Sequence, residues 1–164
     1  MHFEKVSLQQ FTKDVQKQYP QLSEALIENL WNKIKLPQRS SQFSAGYDFY
    51  APAAELFSKN PTKVLTGIRW IGDEDKVLLL FPRSGLGCKY GVRLSNTVGV
   101  VDSDYCNSDN EGHVMAFVEA REECFVDAGK AFMQGVIVPY AVVADDAATG
   151  VRNGGFGSSD EKSN

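Results

Sequence analysis

Apolar residues recur through the first third of the chain with a helical period. Leu8, Phe11, Val15, Tyr19, Leu22, Leu26, Leu30 and Ile34 are spaced by threes and fours, which puts them on one face of a helix. Ser7 with Gln10 three residues later resembles a capping box. Pro20 cannot donate a backbone bond inside a helix, so a break is predicted there, with Pro20 near the start of a second helix. These helices are expected to pack on the body of the protein or on a neighbouring subunit; a docking surface for another protein is the functional alternative. From about Ser41 the pattern shortens to strands. Val64 to Ile71, Lys76 to Phe81, Gly112 to Glu119, Glu123 to Val126 and Ala131 to Val143 are runs rich in Val, Ile and Phe, and Gly72-Asp73-Glu74-Asp75 separates two of them as a turn would. Short strands without helical patterns between them predict an all-β sandwich or barrel. The glycine- and serine-rich end has the composition of a flexible arm. The expected organisation is an N-terminal helical extension over 1–36, a β domain over 37–145 and a C-terminal arm over 146–164, without internal repeats.

Composition narrows the classes. A chain of 164 residues suits one domain, which buries roughly 70% of its extended-chain surface. No apolar run approaches the ~20 residues that span a bilayer. The start, Met1-His2-Phe3-Glu4-Lys5, lacks a basic region followed by an apolar core, so a cytoplasmic protein with no membrane partner is expected. Net charge is −4, from 17 basic and 21 acidic residues. No Lys/Arg cluster stands out, which argues against direct binding of nucleic acid. A phosphate ligand would have to be met locally by a few arginines, amides and a divalent metal. Cys88, Cys106 and Cys124 form no CxxC pair, and the chain has two histidines. Free thiols are expected rather than a zinc or disulfide framework.

Five short blocks hold small and polar residues where a core would put bulky ones: Ser44 to Asp48, Pro82 to Gly87, Asn96 to Tyr105, Gly129 to Gln134 and Arg152 to Ser159. In the second, Pro82 stops a strand, Gly85 lets backbone approach a ligand, and Arg83 with Ser84 suits phosphate oxygens; taken alone, a simple turn explains it as well. In the third, Asp102 and Asp104 would share one face of an extended segment and could bind metal or activate water. A hairpin turn rich in Asp, Asn and Ser is the plain alternative. A calcium loop is rejected there because the glycine at its sixth position is missing. In the fifth, Phe156 among glycines could stack on a base, a contact worth ~1–3 kcal/mol in single-strand binding sites; a tail with an incidental aromatic is the alternative. No Gly-Lys-Ser/Thr pair marks a Walker loop.

In set and order these blocks resemble the five motifs of the trimeric dUTP diphosphatase (dUTPase) family, from Ser44 to Ser159. Arg-x-x-Gly-Gly-Phe-Gly-Ser is the most specific of them; Pro-Arg-Ser-Gly-Leu and Gly-Val-Val-Asp-x-Asp-Tyr are also strong. The resemblance implies a distorted jelly roll forming a homotrimer, with active sites shared between subunits and closed by the arm of a third. It implies hydrolysis of dUTP to dUMP and pyrophosphate, with Mg2+ carried by the triphosphate. By the motifs, Asp102 is implied as the general base for the attacking water and Asp48 as the acid that contacts the metal through water. Arg83, Ser84, Gly85 and Gln134 would hold phosphates. Asn96 and nearby backbone, including Gly99, would read the uracil edge in a hairpin that excludes a 5-methyl group. Tyr105 would pack under the deoxyribose, where a 2′-hydroxyl would clash. Phe156 would cap the uracil, and Arg152, Gly157 and Ser158 would contact phosphates. Hydrolysis at phosphorus needs an oriented water and charge stabilisation more than a covalent nucleophile. That suits a chain with no candidate Ser-His or Cys-His pair.

The chain departs from the family pattern after Tyr105, where Cys106 to Glu111 intervene before Gly112 and a usual arginine is missing. Gly87 stands for the usual alanine. The N-terminal helices resemble versions in some bacteria and their phages. Two other readings stand beside it. Deamination of dCTP uses the same jelly roll, but the glycine-phenylalanine arm favours the diphosphatase. A nucleotide-gated regulatory module would bind a partner protein through the helices or the lengthened hairpin.

Overall fold

The computed structural model describes residues 1–150. The N-terminal pattern folds as β1 (His2–Lys5), α1 (Leu8–Gln18) and α2 (Glu24–Lys33). Ser7 caps α1, its Oγ accepting the Gln10 amide at 3.0 Å. The reciprocal half of the predicted capping box does not form: the Ser7 amide donates to Glu111 at 2.7 Å, and the Gln10 side chain donates to Asp14 at 2.8 Å. Pro20 falls in the break, but α2 starts only at Glu24, capped by Ser23. A serine in extended conformation satisfies an orphan amide and proline has no side-chain acceptor, so the start moves downstream. Val6, Phe11, Val15, Ile27 and Ile34 are buried in one core with Phe49, Phe57, Trp70 and Phe132. The extension therefore packs on its own β body. It also adds a strand, since β1 pairs with β6 (Ile68–Ile71).

Beyond it lie β2 (Gln38–Arg39), β3 (Tyr47–Tyr50), β4 (Glu55–Phe57), β5 (Thr62–Leu65), β6, β7 (Lys76–Pro82), α3 (Ser84–Tyr90), β8 (Arg93–Leu94), β9 (Gly99–Asp102), β10 (Met115–Glu119), β11 (Cys124–Val126) and β12 (Ala131–Pro139). A five-stranded antiparallel sheet runs β2-β3-β12-β7-β9, a three-stranded one β5-β10-β8, and β4 pairs with β11. These sheets wrap one core as a distorted jelly-roll sandwich, the predicted all-β class. The Val64–Ile71 run is two strands, broken where Gly67 takes a φ of 69° and an added Cβ would lie 2.2 Å from the Ile34 methyl. The last run stops at Pro139, which cannot extend a ladder. Helix α3 was not foreseen. Its two glycines and short length leave no apolar period, and Gly91 ends it in the left-handed conformation (φ 65°).

Candidate active site

The first, second and fourth blocks meet at one corner of the five-stranded sheet. Asp48 of β3, Gln134 of β12 and Phe81 of β7 lie in one row of the register. Strand β7 ends at Pro82, and Arg83 stands in extended conformation at the position before α3, with no capping bond from its side chain. Arg83 Nε lies 3.2 Å from Asp48 Oδ1, with the carboxylate side chain 15% and the guanidinium side chain 43% exposed. Arg83 therefore keeps much of its donor fork toward solvent while Asp48 fixes its root. Gln134 donates to the Pro82 carbonyl at 3.4 Å. An added Cβ on Gly46 would lie 2.5 Å from Gln134 Oε1, so the glycine of the first block makes room for the glutamine of the fourth. Ser84 and Gly85 form the first turn of α3, where amides have no intrahelical acceptor. A Cβ on Gly85 would meet no heavy atom within 4 Å; nothing inside the described chain demands glycine there. The corner thus presents a guanidinium, a carboxamide and helix-start amides beside a hard carboxylate oxygen. Such a carboxylate fits Mg2+, which takes most of its ligands from phosphates and water and one or two from protein. Among the described residues, no cluster of three or more His, Cys, Asp or Glu side chains is placed to hold a metal.

A separate recess of about 110 Å³ lies at the start of the third block, lined by Leu80, Leu94, Asn96, Gly99, Met115 and Phe117. The hairpin at its mouth is tight. The Thr97 amide donates to the Leu94 carbonyl at 2.9 Å, and Thr97 takes a φ of 68°. Gly99 packs against Leu80, whose Cβ would be 3.0 Å from an added Cβ. A larger residue there would push into the recess.

Asp102 ends β9 opposite Val77, four residues along β7 from Phe81, about 13 Å at 3.3 Å per residue. Leu78 and Leu80 point into the core, so the alternate positions, Asp48, Gln134 and Asp102 among them, share the outer face. The structure does not bring Asp102 to the Arg83 corner within one chain. The predicted pairing of Asp102 with Asp104 also fails. Extended backbone stops at Asp102, and Ser103–Asn107 coil into a 3-10 helix, so alternation no longer relates the two carboxylates.

Tyr105 is buried in that 3-10 helix. Burial pushes its phenol above the usual range, so it stays an O–H, which donates to the His113 carbonyl at 3.3 Å. Asn110 Nδ2 donates to the Tyr105 oxygen at 2.9 Å. The Cys106–Glu111 segment folds back onto α1, where Glu111 accepts from the Ser7 amide at 2.7 Å and the Ser7 hydroxyl at 2.6 Å. His113, fully buried, lies 2.6 Å from Asp14. Asp14, Glu111 and His113 escape a reading of the sequence because the contacts Asp14–His113 and Glu111–Ser7 span about a hundred residues; Asn110 has near partners in Tyr105 and Gly112 but sits in a segment with no recognisable pattern. Arg152, Phe156, Gly157 and Ser158 lie outside the described residues.

The dUTPase family model matches residues 32–160. The deoxyuridine 5′-triphosphate nucleotidohydrolase of Lactococcus lactis is 38% identical over 133 residues, 76% of this chain and 87% of the relative. That of Hahella chejuensis is 36% identical over 152 residues, covering 86% and 97%. The crystal structure of dUTPase from Streptococcus mutans superposes with a TM-score of 0.64 at 28% identity, covering 87% of this chain and 98% of that one. Together with the shared five-block layout, these matches show that the chain belongs to the dUTPase family.

Proposed function

We propose that this protein hydrolyses dUTP to dUMP and pyrophosphate at a site assembled from more than one copy of the chain. Hydrolysis of dUTP follows from membership of the family, and it limits uracil in DNA while supplying dUMP. The assembly reading rests on one observation: Asp102 and the Arg83–Asp48–Gln134 corner sit at opposite ends of one outer sheet face. A homotrimer with shared sites brings the Asp102 end of one copy to the phosphate corner of another. A cytoplasmic location completes the proposal. Among the described residues no helix is long and apolar enough to cross a membrane.

Asp102 accepts a proton from water as its oxygen bonds to the α-phosphorus and the α,β-bridging P–O bond breaks. Pyrophosphate leaves with that electron pair. A positioned base of this kind contributes typically 10²–10⁴-fold. Arg83, the Ser84 hydroxyl, the Gly85 amide and Gln134 bind the phosphate oxygens and stabilise the negative charge. Asp48 would hold Mg2+, which when bound would neutralise phosphate charge. Asn96 and Gly99 read the uracil edge in the 110 Å³ recess. Tyr105 walls off the 2′ position of the sugar. From the arm, Phe156 caps the base while Arg152, Gly157 and Ser158 add phosphate contacts.

The test is Mg2+-dependent pyrophosphate release from dUTP, with little from dTTP or UTP. Asp102→Asn is expected to abolish turnover and leave binding of a non-hydrolysable dUTP analogue largely intact. Equal turnover in the variant and the parent would remove Asp102 from its role, and ammonia release from dCTP would overturn the reaction.

A further inference from the structure

The Cys106–Glu111 segment connects the N-terminal helix to Tyr105 through residues that serve both. Glu111 accepts two hydrogen bonds from Ser7 at the start of α1, where orphan amides and the helix dipole favour a carboxylate. Burial alone would raise its pKa; the two Ser7 bonds, with the Arg69 charge, outweigh that and hold it below the usual range. Its neighbour Asn110 binds Tyr105 through Nδ2 and the Gly112 amide, at 3.1 Å, through Oδ1. His113 closes the loop. The Gly67 amide donates to its Nε2 at 2.8 Å, so the ring proton sits on Nδ1 and is donated to Asp14 in the middle of α1. The carbonyl of the same His113 accepts from Tyr105. Arg69 adds a bond to the Cys106 carbonyl at 3.0 Å.

Two further features show that this is a fixed strut. Glu111 adopts a φ of 57°, a strained conformation for a non-glycine residue that persists only where surrounding contacts over-determine it. Tyr105 itself stands on a 3-10 helix, a short element with poor hydrogen-bond geometry. Such a platform holds a side chain in place only if something else braces it.

We infer that Asp14, Asn110 and Glu111 are positioning residues for sugar selection: α1, acting through the inserted segment, fixes Tyr105 as the wall that rejects a 2′-hydroxyl. This rests on the reading of Tyr105 given above and extends it to residues outside the five motifs. Rejecting one added hydroxyl depends on a wall that does not yield, because a displacement of about an ångström makes room for it. The N-terminal helix is then a specificity element of the enzyme as well as a packing element.

The experiment compares kcat/KM for dUTP and UTP in the full-length parent, in the near-isosteric variants Asn110→Asp, Glu111→Gln and Asp14→Asn, and in Val15→Ala, a core change in α1 away from the strut. Relative affinities for dUMP and UMP are measured on the same samples, with melting temperatures recorded. The expected result is a fall of about tenfold in the dUTP/UTP ratio in the strut variants, from improved use of UTP. Turnover of dUTP should stay within about twofold of the parent, and Val15→Ala should lose melting temperature but keep the ratio. Unchanged ratios in folded strut variants, or equal losses for both nucleotides, would overturn the inference and leave the functional reading standing. A parent that shows no preference for dUTP over UTP would overturn both.

Discussion

Glu55 shows how one residue can set a pH response. It borders a cavity of about 310 Å³ between the helices and the β body, walled by Phe11, Val15, Tyr19, Leu22 and Pro52. Burial pushes its carboxyl up to about 7, from an ordinary 4.5. The folded state therefore keeps a proton that the unfolded state has lost, and stability falls as pH rises from 4.5 to about 7. Glu55→Gln is expected to melt like the parent near pH 4 and above it at pH 8, the difference opening across that window in thermal scans. Asp14 behaves oppositely. Burial would raise it, but the hydrogen bonds from His113 and Gln10 hold it low, so its contribution is present above the ordinary carboxylate range and is lost on acidification. Gly46 gives a third residue-scale expectation. A Cβ there displaces the end of the Gln134 side chain, so Gly46→Ala should leave melting nearly unchanged and raise KM for dUTP by about tenfold, the effect of one lost phosphate contact. At this scale the sequence read well where chemistry is local: Ser7 caps its helix as its spacing predicts. It read poorly where the partner is remote, as with Glu111, whose bonds to Ser7 span 104 positions.

Among the elements, α3 and the hairpin after β9 carry the differences between expectation and structure. The strands over 76–82 and 115–119 were legible because short apolar runs, Val77 to Phe81 and Met115 to Val118, stand there between polar and turn residues. The seven-residue α3 was not, because Ser-Gly-Leu-Gly has neither helix propensity nor period, and tertiary context decides it. Its consequence is chemical, since it turns a presumed strand-end turn into a helix start with free amides beside Arg83. The hairpin after β9 ends in Gly112, with a φ of 69° and an added Cβ only 2.5 Å from the Cys106 backbone. Gly112→Ala is therefore expected to cost a few kcal/mol in denaturant unfolding, since neither φ nor backbone can yield cheaply. A cost below about half a kcal/mol would show that the segment is not held as described.

Over the whole molecule, an all-β sandwich or barrel was legible from strand spacing, and the family, with the jelly roll it implies, from five ordered motifs. How the motifs meet was not, because the register puts Asp102 and the Arg83 corner far apart on one face. The face is not a water-loving one: Val100 is 56% exposed on it, and Val77, Leu79, Val136 and Val138 beside it are only half-buried. Apolar exposure of this kind suits an interaction surface and supports the proposal that another copy of the chain covers it. A dUTP site shared between copies can be probed by mixing two inactive proteins. Asp102→Asn and Arg83→Ala chains, each inactive alone, are co-assembled and assayed for pyrophosphate release from dUTP. If Asp102 and Arg83 of one site come from different chains, random mixing restores about a quarter of parental activity, the fraction of sites that receive both intact residues. If the mixture stays as inactive as its components while mixed oligomers are present, Asp102 and Arg83 of one site come from the same chain and no shared site exists.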